Sequence, residues 1–277
     1  MSTVAELLRR AGQLPGDGAR REGEILLGHS LQKPRAWLYT WPDIEVSPET
    51  EARFAELLAE RARGVPVAYL TGRREFWSLE LAVNPHTLIP RPETETLVQW
   101  ALDLELPADS AVLDLGTGSG AIALALARER PAWRVTAVDS SPQALAVAQG
   151  NGERARLDRV RFLQSDWYGA LAGQRFDLIV SNPPYVAAGD PHLAAGDLRF
   201  EPTSALIAGQ NGLADLAQIV TGATAHLREG GWLLLEHGCE QGERVCSMLR
   251  EARFTRVGTR SDLAGLERVS GGSRHVE

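Results

Sequence analysis

The feature that most restricts this chain is an alternation in its second half between short, nearly continuous apolar runs and stretches of helical period. Residues 111–115, 135–138, 160–163, 176–180 and 232–235 are such runs. A strand that is apolar at successive positions has to be covered on both faces, as in parallel sheets flanked by helices. Helices fit between the runs at 121–128, 142–149, 215–227 and 240–249. The pattern predicts an α/β doubly wound sheet. Residues 254–258 and 267–270 are close enough in sequence to form an antiparallel pair finishing the edge.

The first seventy residues read differently. Apolar positions recur at helical spacing, as at Leu7, Leu8 and Ala11, then Ile25, Leu26 and Leu31, then Phe54, Leu57 and Leu58. Breakers at Pro15, Gly16, Gly18, Pro34 and Pro42 divide them, and Ser47-Pro48 reads as a helix cap with proline at the first helical position. A small bundle of four or five helices is expected. Beyond Gly72 the period changes: Phe76, Ser78, Glu80 and Ala82 alternate with Trp77, Leu79, Leu81 and Val83, as in a short hairpin. The division is therefore a helical domain over 1–72, a hairpin linker over 73–86 and a sheet domain over 87–277, in which a helix begins at Pro92 and runs toward Leu104.

Composition narrows the function classes. At 277 residues, 44% hydrophobic and 23% charged, the chain suits two globular domains. No window approaches the ~18 apolar residues of a membrane span, and the amphipathic start carrying Arg9 and Arg10 is unlike a secretory leader, so a cytoplasmic protein is expected. Cys239 and Cys246 match neither a zinc site nor a disulfide framework and read as buried small apolar residues; no metal is expected. A net charge of −7 without a basic block gives no support to direct nucleic-acid binding.

Two loops carry the chemistry. The run 111–115 leads into Gly116-Thr117-Gly118-Ser119-Gly120 and then a helix, which places glycines at the carboxyl end of a strand, where such sheets bind ligands. Dinucleotide sites share this arrangement, as they share an acid such as Asp139 ending the next strand and able to accept both ribose hydroxyls. Asp114 discriminates, because a carboxylate beside the glycines repels a pyrophosphate and suits the cationic amino and sulfonium groups of S-adenosylmethionine. Each acid also has a plainer reading as a helix cap or surface charge. The third strand ends in Asp166 and Trp167, an acceptor and a flat wall for adenine, although a tryptophan there is as readily core.

The second loop, Ser181-Asn182-Pro183-Pro184-Tyr185, follows the fourth strand on the same edge of the sheet. Two consecutive prolines fix two φ angles and remove two N–H donors, so the loop is stiff. A planar amide or aniline-like nitrogen is a poor nucleophile. Two acceptors, the Asn182 side-chain oxygen and the Pro183 carbonyl, can hold both its hydrogens and favour pyramidalisation, while Tyr185 packs against the planar group. No strong base is needed, since the methylated nitrogen becomes very acidic.

These residues resemble a specific family, the glutamine methyltransferases of peptide chain release factors known as HemK or PrmC. The resemblance covers nearly the whole chain: the stretch 64–72, Glu75-Phe76, the segment 88–95 reading Leu-Ile-Pro-Arg-Pro-Glu-Thr-Glu, Glu201-Pro202, Asn211-Gly212-Leu213, Glu236 with Gln241, and 262–268. It implies a Rossmann-like sheet of seven strands whose last hairpin is antiparallel, S-adenosyl-L-methionine as cofactor, and methylation of the glutamine in the Gly-Gly-Gln tip of class I release factors, docked by the helical domain. Carried over by position, Gly116 to Gly120, Asp139, Trp167 and Asn182 would contact cofactor, and Asn182, Pro183, Pro184 and Tyr185 the glutamine. Arg91 is either a substrate contact or part of a capped helix start. One departure is the Gly150-Asn151-Gly152 stretch, expected to end a helix at a cost of ~1 kcal/mol per glycine without touching the chemistry. Competing readings are a ribosomal protein glutamine methyltransferase, a DNA adenine methyltransferase, and a nucleotide-binding or assembly module without activity.

Overall fold

A computed structural model of the chain describes every residue except Pro15, Asp17, Ala195, Val276 and Glu277, so the breaker read at Pro15 lies outside the described residues. The chain divides into two compact units, Met1–Arg73 with Ala194–Phe200, and Arg74–Leu193 with Glu201–Glu277.

The first unit is helical: α1 (Val4–Ala11), α2 (Ala19–Leu31), α3 (Arg35–Thr40), α4 (Pro48–Ala62) and α5 (Val67–Thr71). Local chemistry sets its helix starts. Thr3 and Glu6 form a reciprocal capping box on α1, and Ser47 caps α4 by accepting from Thr50 N–H with Pro48 in the first turn. The apolar faces converge on a core containing Leu7, Leu26, Leu27, Leu38 and Phe54. Gly23, inside α2, is required by that packing, because a Cβ there would lie 2.2 Å from Ala11 Cβ. One carboxylate is buried with this core. Glu24, 2% exposed, accepts from Arg35, from the Tyr39 hydroxyl, and from Arg20 Nε at 3.2 Å. Burial raises its pKa, but the bonds from Tyr39, Arg35 and Arg20 outweigh that and hold it below the ordinary carboxylate value.

A hairpin follows, β1 (Arg73–Phe76) and β2 (Leu79–Ala82), turning through Trp77 and Ser78 with φ of 49° and 57°, the left-handed pair that a two-residue hairpin loop demands. A 3-10 turn, Pro92–Thr94, leads into α6 (Glu95–Asp103). The rest of the second unit runs β3 (Ala111–Leu115), α7 (Ala121–Glu129), β4 (Arg134–Asp139), α8 (Pro142–Arg154), β5 (Arg161–Gln164), β6 (Phe176–Ser181), β7 (Val186–Ala187), β8 (Ile207–Ala208), a single turn α9 (Gly209–Gly212), α10 (Ala214–His226), β9 (Leu227–Glu236), α11 (Gly242–Glu251), β10 (Phe254–Ser261) and β11 (Glu267–Arg274).

Seven strands form one sheet in the order β10-β11-β9-β6-β3-β4-β5. β5, β4, β3, β6 and β9 are mutually parallel, while β11 is antiparallel to both β9 and β10, so β10 is the edge. Both faces of the parallel strands are covered, as their continuous apolar runs demand. Val112 faces a core with Trp100 of α6 and Ile122 of α7, whereas Leu113 and Leu115 face one with Ile219 of α10 and Leu249 of α11. The chain leaves β3 toward β4 on one side and returns to β3 from the other with β6. That reversal opens a crevice beyond the carboxyl ends of the two strands, where Leu115 pairs with Ser181.

Three expectations are revised. Helix α8 does not stop at residue 149 but continues to Arg154, because Asn151 and Gly152 pack inward. A Cβ on Gly152 would lie 3.3 Å from the Phe162 ring, so this glycine makes room for a contact and is more than a weak helix former. Cys246 is buried, but Cys239 is exposed. The two-residue strands β7 and β8 were not anticipated; they are too short to show a period.

Candidate active site

The crevice at the strand reversal holds a cavity of about 530 Å³, within the range of sites that take nucleoside-sized ligands. The glycine loop forms its floor. Gly116, Gly118 and Gly120 have φ of 70°, 56° and 85°, a region that only glycine enters freely, and space above Gly118 is open for 4 Å around the position of an absent Cβ. Asn151 tethers the loop from α8: its Nδ2 donates to the Ser119 carbonyl at 2.8 Å and to the Ala82 carbonyl at 3.0 Å, and its Oδ1 accepts from Ala82 N–H at 2.7 Å. Asn151, lying between the two glycines read as a departure, is thus a buried clasp between the hairpin and the loop.

Asp139, at the end of β4, lines the cavity and accepts from Gly118 N–H and Ser141 N–H, each at 2.9 Å. Burial raises its pKa. Trp167 also lines the cavity, with φ of 43°, and its ring lies 3.5 Å from where a Cβ on Gly116 would sit. Asp166 is exposed at the rim. Asp215, opening α10, joins it, and its pKa is raised by burial and by Asp166. Thr117, Ser119 and Asn182 complete this group. Among the described residues lining the cavity are three aspartates and no lysine or arginine. Such a lining repels a pyrophosphate and attracts a cation.

Asp114 sits elsewhere than a direct ligand contact requires. Its carboxylate is fully buried beneath the glycine loop, outside the cavity lining, with Oδ2 accepting from Thr117 Oγ1 at 2.6 Å and from Ala123 N–H at 3.2 Å, and Oδ1 without a partner. Burial pushes its pKa up to about 7. From this position it ties the loop to the first turn of α7.

The comparisons with known proteins complete this arrangement. Residues 94–203 match the family described as Methyltransferase small domain, and residues 2–72 match the PrmC N-terminal domain. A Pseudomonas aeruginosa protein named release factor glutamine methyltransferase is 53% identical over 98% of both chains. A protein of the same name from Vibrio cholerae is 48% identical over 100% of this chain and 96% of its own.

The chain belongs to the release factor glutamine methyltransferase family.

Among solved structures, a methyltransferase from Pyrococcus furiosus shares the fold, with a TM-score of 0.56 at 18% identity over 81% of this chain and 99% of that one. Within the Asn-Pro-Pro-Tyr loop that follows β6, the structure separates the four residues. Asn182 and Pro184 line the cavity, whereas Pro183 is buried behind it and Tyr185 is packed into the second core, outside the lining. The loop is held at both ends. Ser181 Oγ donates to the Leu115 carbonyl at 2.7 Å, and Gln241 Nε2 donates to the Tyr185 carbonyl at 3.1 Å. Gly212 (φ 84°) presses on the same carbonyl so closely that a Cβ would lie 2.2 Å from it.

Arg91 is also outside the cavity lining. It forms an ion pair with Glu201, whose other oxygen accepts from Ile89 N–H at 2.9 Å, so it braces the segment before α6. Sequence reasoning missed three residues here: Asp215, Thr94 and Glu236 as a buried acid. Asp215 reads only as a helix start. Thr94, 4% exposed, lines the cavity and accepts from Asn182 Nδ2 at 3.2 Å, so Asn182 Oδ1 is the end of that amide turned away from Thr94.

Proposed function

We propose that this chain transfers the methyl group of S-adenosyl-L-methionine to the side-chain amide nitrogen of the glutamine in the Gly-Gly-Gln tip of class I peptide chain release factors, in the cytoplasm. The observation that carries this reading is the 53% identity over 98% of both chains with a protein named for that activity. The cavity supports it independently, since a positively charged nucleoside without phosphate fits a lining of Asp139, Asp166 and Asp215.

The cofactor, when bound, supplies an electrophilic methyl group. Asp139 would take the ribose hydroxyls on lone pairs not used by Gly118 and Ser141, with Trp167 forming the adenine wall and the Gly116 to Gly120 backbone admitting the amino-acid portion. Asn182 Oδ1 would accept one hydrogen of the glutamine amide and the Pro183 carbonyl the other. Two acceptors on that nitrogen weaken its conjugation and turn its lone pair toward the methyl carbon, an arrangement that strengthens as positive charge develops. Tyr185 supports the loop from behind. No histidine is needed, because the methylated amide loses its proton readily to water.

The helical unit would dock the protein substrate. Tyr39, Trp41 and Ile44 are 53%, 51% and 45% exposed, an apolar group on that unit available to a partner protein. The test is transfer of labelled methyl from S-adenosylmethionine to a purified class I release factor, with mass mapping of the product. Label on the Gly-Gly-Gln glutamine is expected; label on a ribosomal protein or on DNA adenine, and none on the release factor, would overturn the reading.

A further inference from the structure

The turn between β10 and β11 holds two leucines out in solvent, Leu263 at 108% exposure and Leu266 at 45%. A loop leucine gains by folding back onto the nearest apolar surface. The way this turn is tied prevents it. The Asp262 carboxylate, itself 4% exposed, accepts on Oδ1 from Ala264 N–H at 2.9 Å and Leu266 N–H at 3.0 Å, and on Oδ2 from Arg268 Nε at 2.9 Å. Asp262 N–H donates to the Leu266 carbonyl at 2.8 Å and Gly265 N–H to the Asp262 carbonyl at 2.9 Å, with Gly265 at a φ of 80°. Bonded within itself in this way the turn is a fixed bracket, and Leu263 stands at its tip.

Strand order puts the bracket at the edge of the sheet where Asn182 lies. β9 is parallel to β6, Ser181 pairing with Leu235, so both end at that edge. β11 runs the other way with Val269 paired to Glu236, and the turn before it therefore projects beyond the same edge. His237 N–H donates to the Arg268 carbonyl at 2.9 Å and the Tyr185 hydroxyl to Glu236 at 3.3 Å, so the base of the bracket and the Asn-Pro-Pro-Tyr loop meet at the end of β9. β11 is two strands from β6, about 10 Å at the usual spacing. The groups proposed to contact the cofactor, the glycine loop with Asp139 and Trp167, follow β3, β4 and β5, all on the opposite side of β6. A protein that brings one side chain to Asn182 keeps its body outside the cavity, and the side of β6 left for it is the one that carries the bracket.

We propose that Leu263, together with Leu266, is an apolar anchor for the release factor, covered by a part of that protein outside the tip that carries the target glutamine. The identity of the partner rests on the methyl-transfer reading. A side chain already fixed where its partner meets it loses little freedom on docking, so the gain from its burial is retained as affinity. The anchor acts on binding and not on the reacting atoms, because residues 262–266 lie outside the cavity lining.

The test is steady-state kinetics of the full chain on a purified class I release factor. Leu263→Ser should raise KM for the release factor about tenfold, the usual loss for a truncated anchor, with kcat at saturating release factor and KM for S-adenosylmethionine unchanged. Its melting temperature should match wild type, since a fully exposed side chain supports nothing in the folded chain. Leu263→Met, which keeps an apolar side chain of similar size, should recover most of the affinity, and Leu266→Ser should give a smaller rise than Leu263→Ser. An unchanged KM in Leu263→Ser overturns the proposal. So does a loss confined to kcat, or a KM rise that comes with a lowered melting temperature, which would mark a damaged turn. Sedimentation covers the other occupant: a wild-type dimer that Leu263→Ser dissociates, with KM unchanged, gives the turn to a second copy of the chain and overturns the anchor. A wild-type chain inactive on release factors sinks the methyl-transfer reading and the anchor with it, whereas an active wild type with an indifferent Leu263→Ser sinks the anchor alone.

Discussion

Each of the two units buries carboxylates; some in the sheet unit are paired, as Glu201 is with Arg91, but two there are treated in the opposite way to Glu24 of the helical unit. In the helical unit Glu24 is surrounded by Arg20, Arg35 and the Tyr39 hydroxyl, which together hold its pKa down despite burial. In the sheet unit Asp114 and Glu236 are buried with one oxygen each unpartnered, and burial pushes both up to about 7. A buried acid provided with cations holds helices together. Buried acids left short of partners, with strongly shifted pKa values, are a mark of functional sites more than of structural cores.

The sharpest test of the sheet unit's site is to remove the polar side chain placed at the lining of its cavity. Asn182→Ala should fold normally and lose roughly 10²–10³ in turnover on a release factor, the usual loss when one preorganised polar partner is removed; near-normal kcat would undo the site assignment. Next in size is the helical counterpart. Glu24→Ala should destabilise that unit by about 1–3 kcal/mol, since it strips several donors of their shared acceptor, while leaving S-adenosylmethionine affinity unchanged. Denaturant titration followed by Trp37 or Trp41 fluorescence reads the first, calorimetry the second, and a stability equal to wild type would show that the Glu24 cluster is ornamental.

The smallest effect concerns pH. In Asp114 and Glu236 the folded-state pKa lies above the unfolded value, so between about pH 4 and 7 the folded chain holds protons that the unfolded chain has released. Stability should therefore fall as pH rises through that window, by at most about 1.4 kcal/mol per pH unit for each group. Above it both states are ionised and the loss is complete. Asp114→Asn combined with Glu236→Gln should flatten the decline relative to wild type in denaturation curves taken from pH 5 to 7; parallel curves would mean these acids titrate normally. Glu24, whose pKa is lowered, contributes in the reverse sense, its stabilisation being lost as pH falls below the ordinary carboxylate range.

Much of the architecture could be read from local pattern, for a physical reason. A strand covered on both faces must be apolar at nearly every position, so residues 111–115 and 176–180 announce themselves, and β3 begins and ends where the apolar run does. Caps are equally local: Ser47-Pro48 specifies the start of α4 without reference to anything distant. The glycine loop, Asp139 and Asn182 were legible because strand order brings the ends of β3, β4 and β6 to one edge once the alternation is recognised. The extent of α8 was not, since glycines inside a helix look like an ending unless one knows that Gly152 lies against Phe162.

What the sequence determined by itself, then, is everything that depends on neighbours along the chain: helix and strand periods, turn chemistry, and the residue types at strand ends. What only the tertiary structure decided is which isolated polar residues meet. Thr94 and Asn182 are far apart in sequence, one an ordinary helix start and the other a loop residue after a strand, and nothing local says that they meet. Asp114 looked exposed to a ligand and is sealed beneath the loop; Tyr185 looked like a substrate contact and faces Glu236. Hydrogen bonds act over about 3 Å and depend on direction, so their partners are set by how strands and helices are stacked, and no one-dimensional period records that.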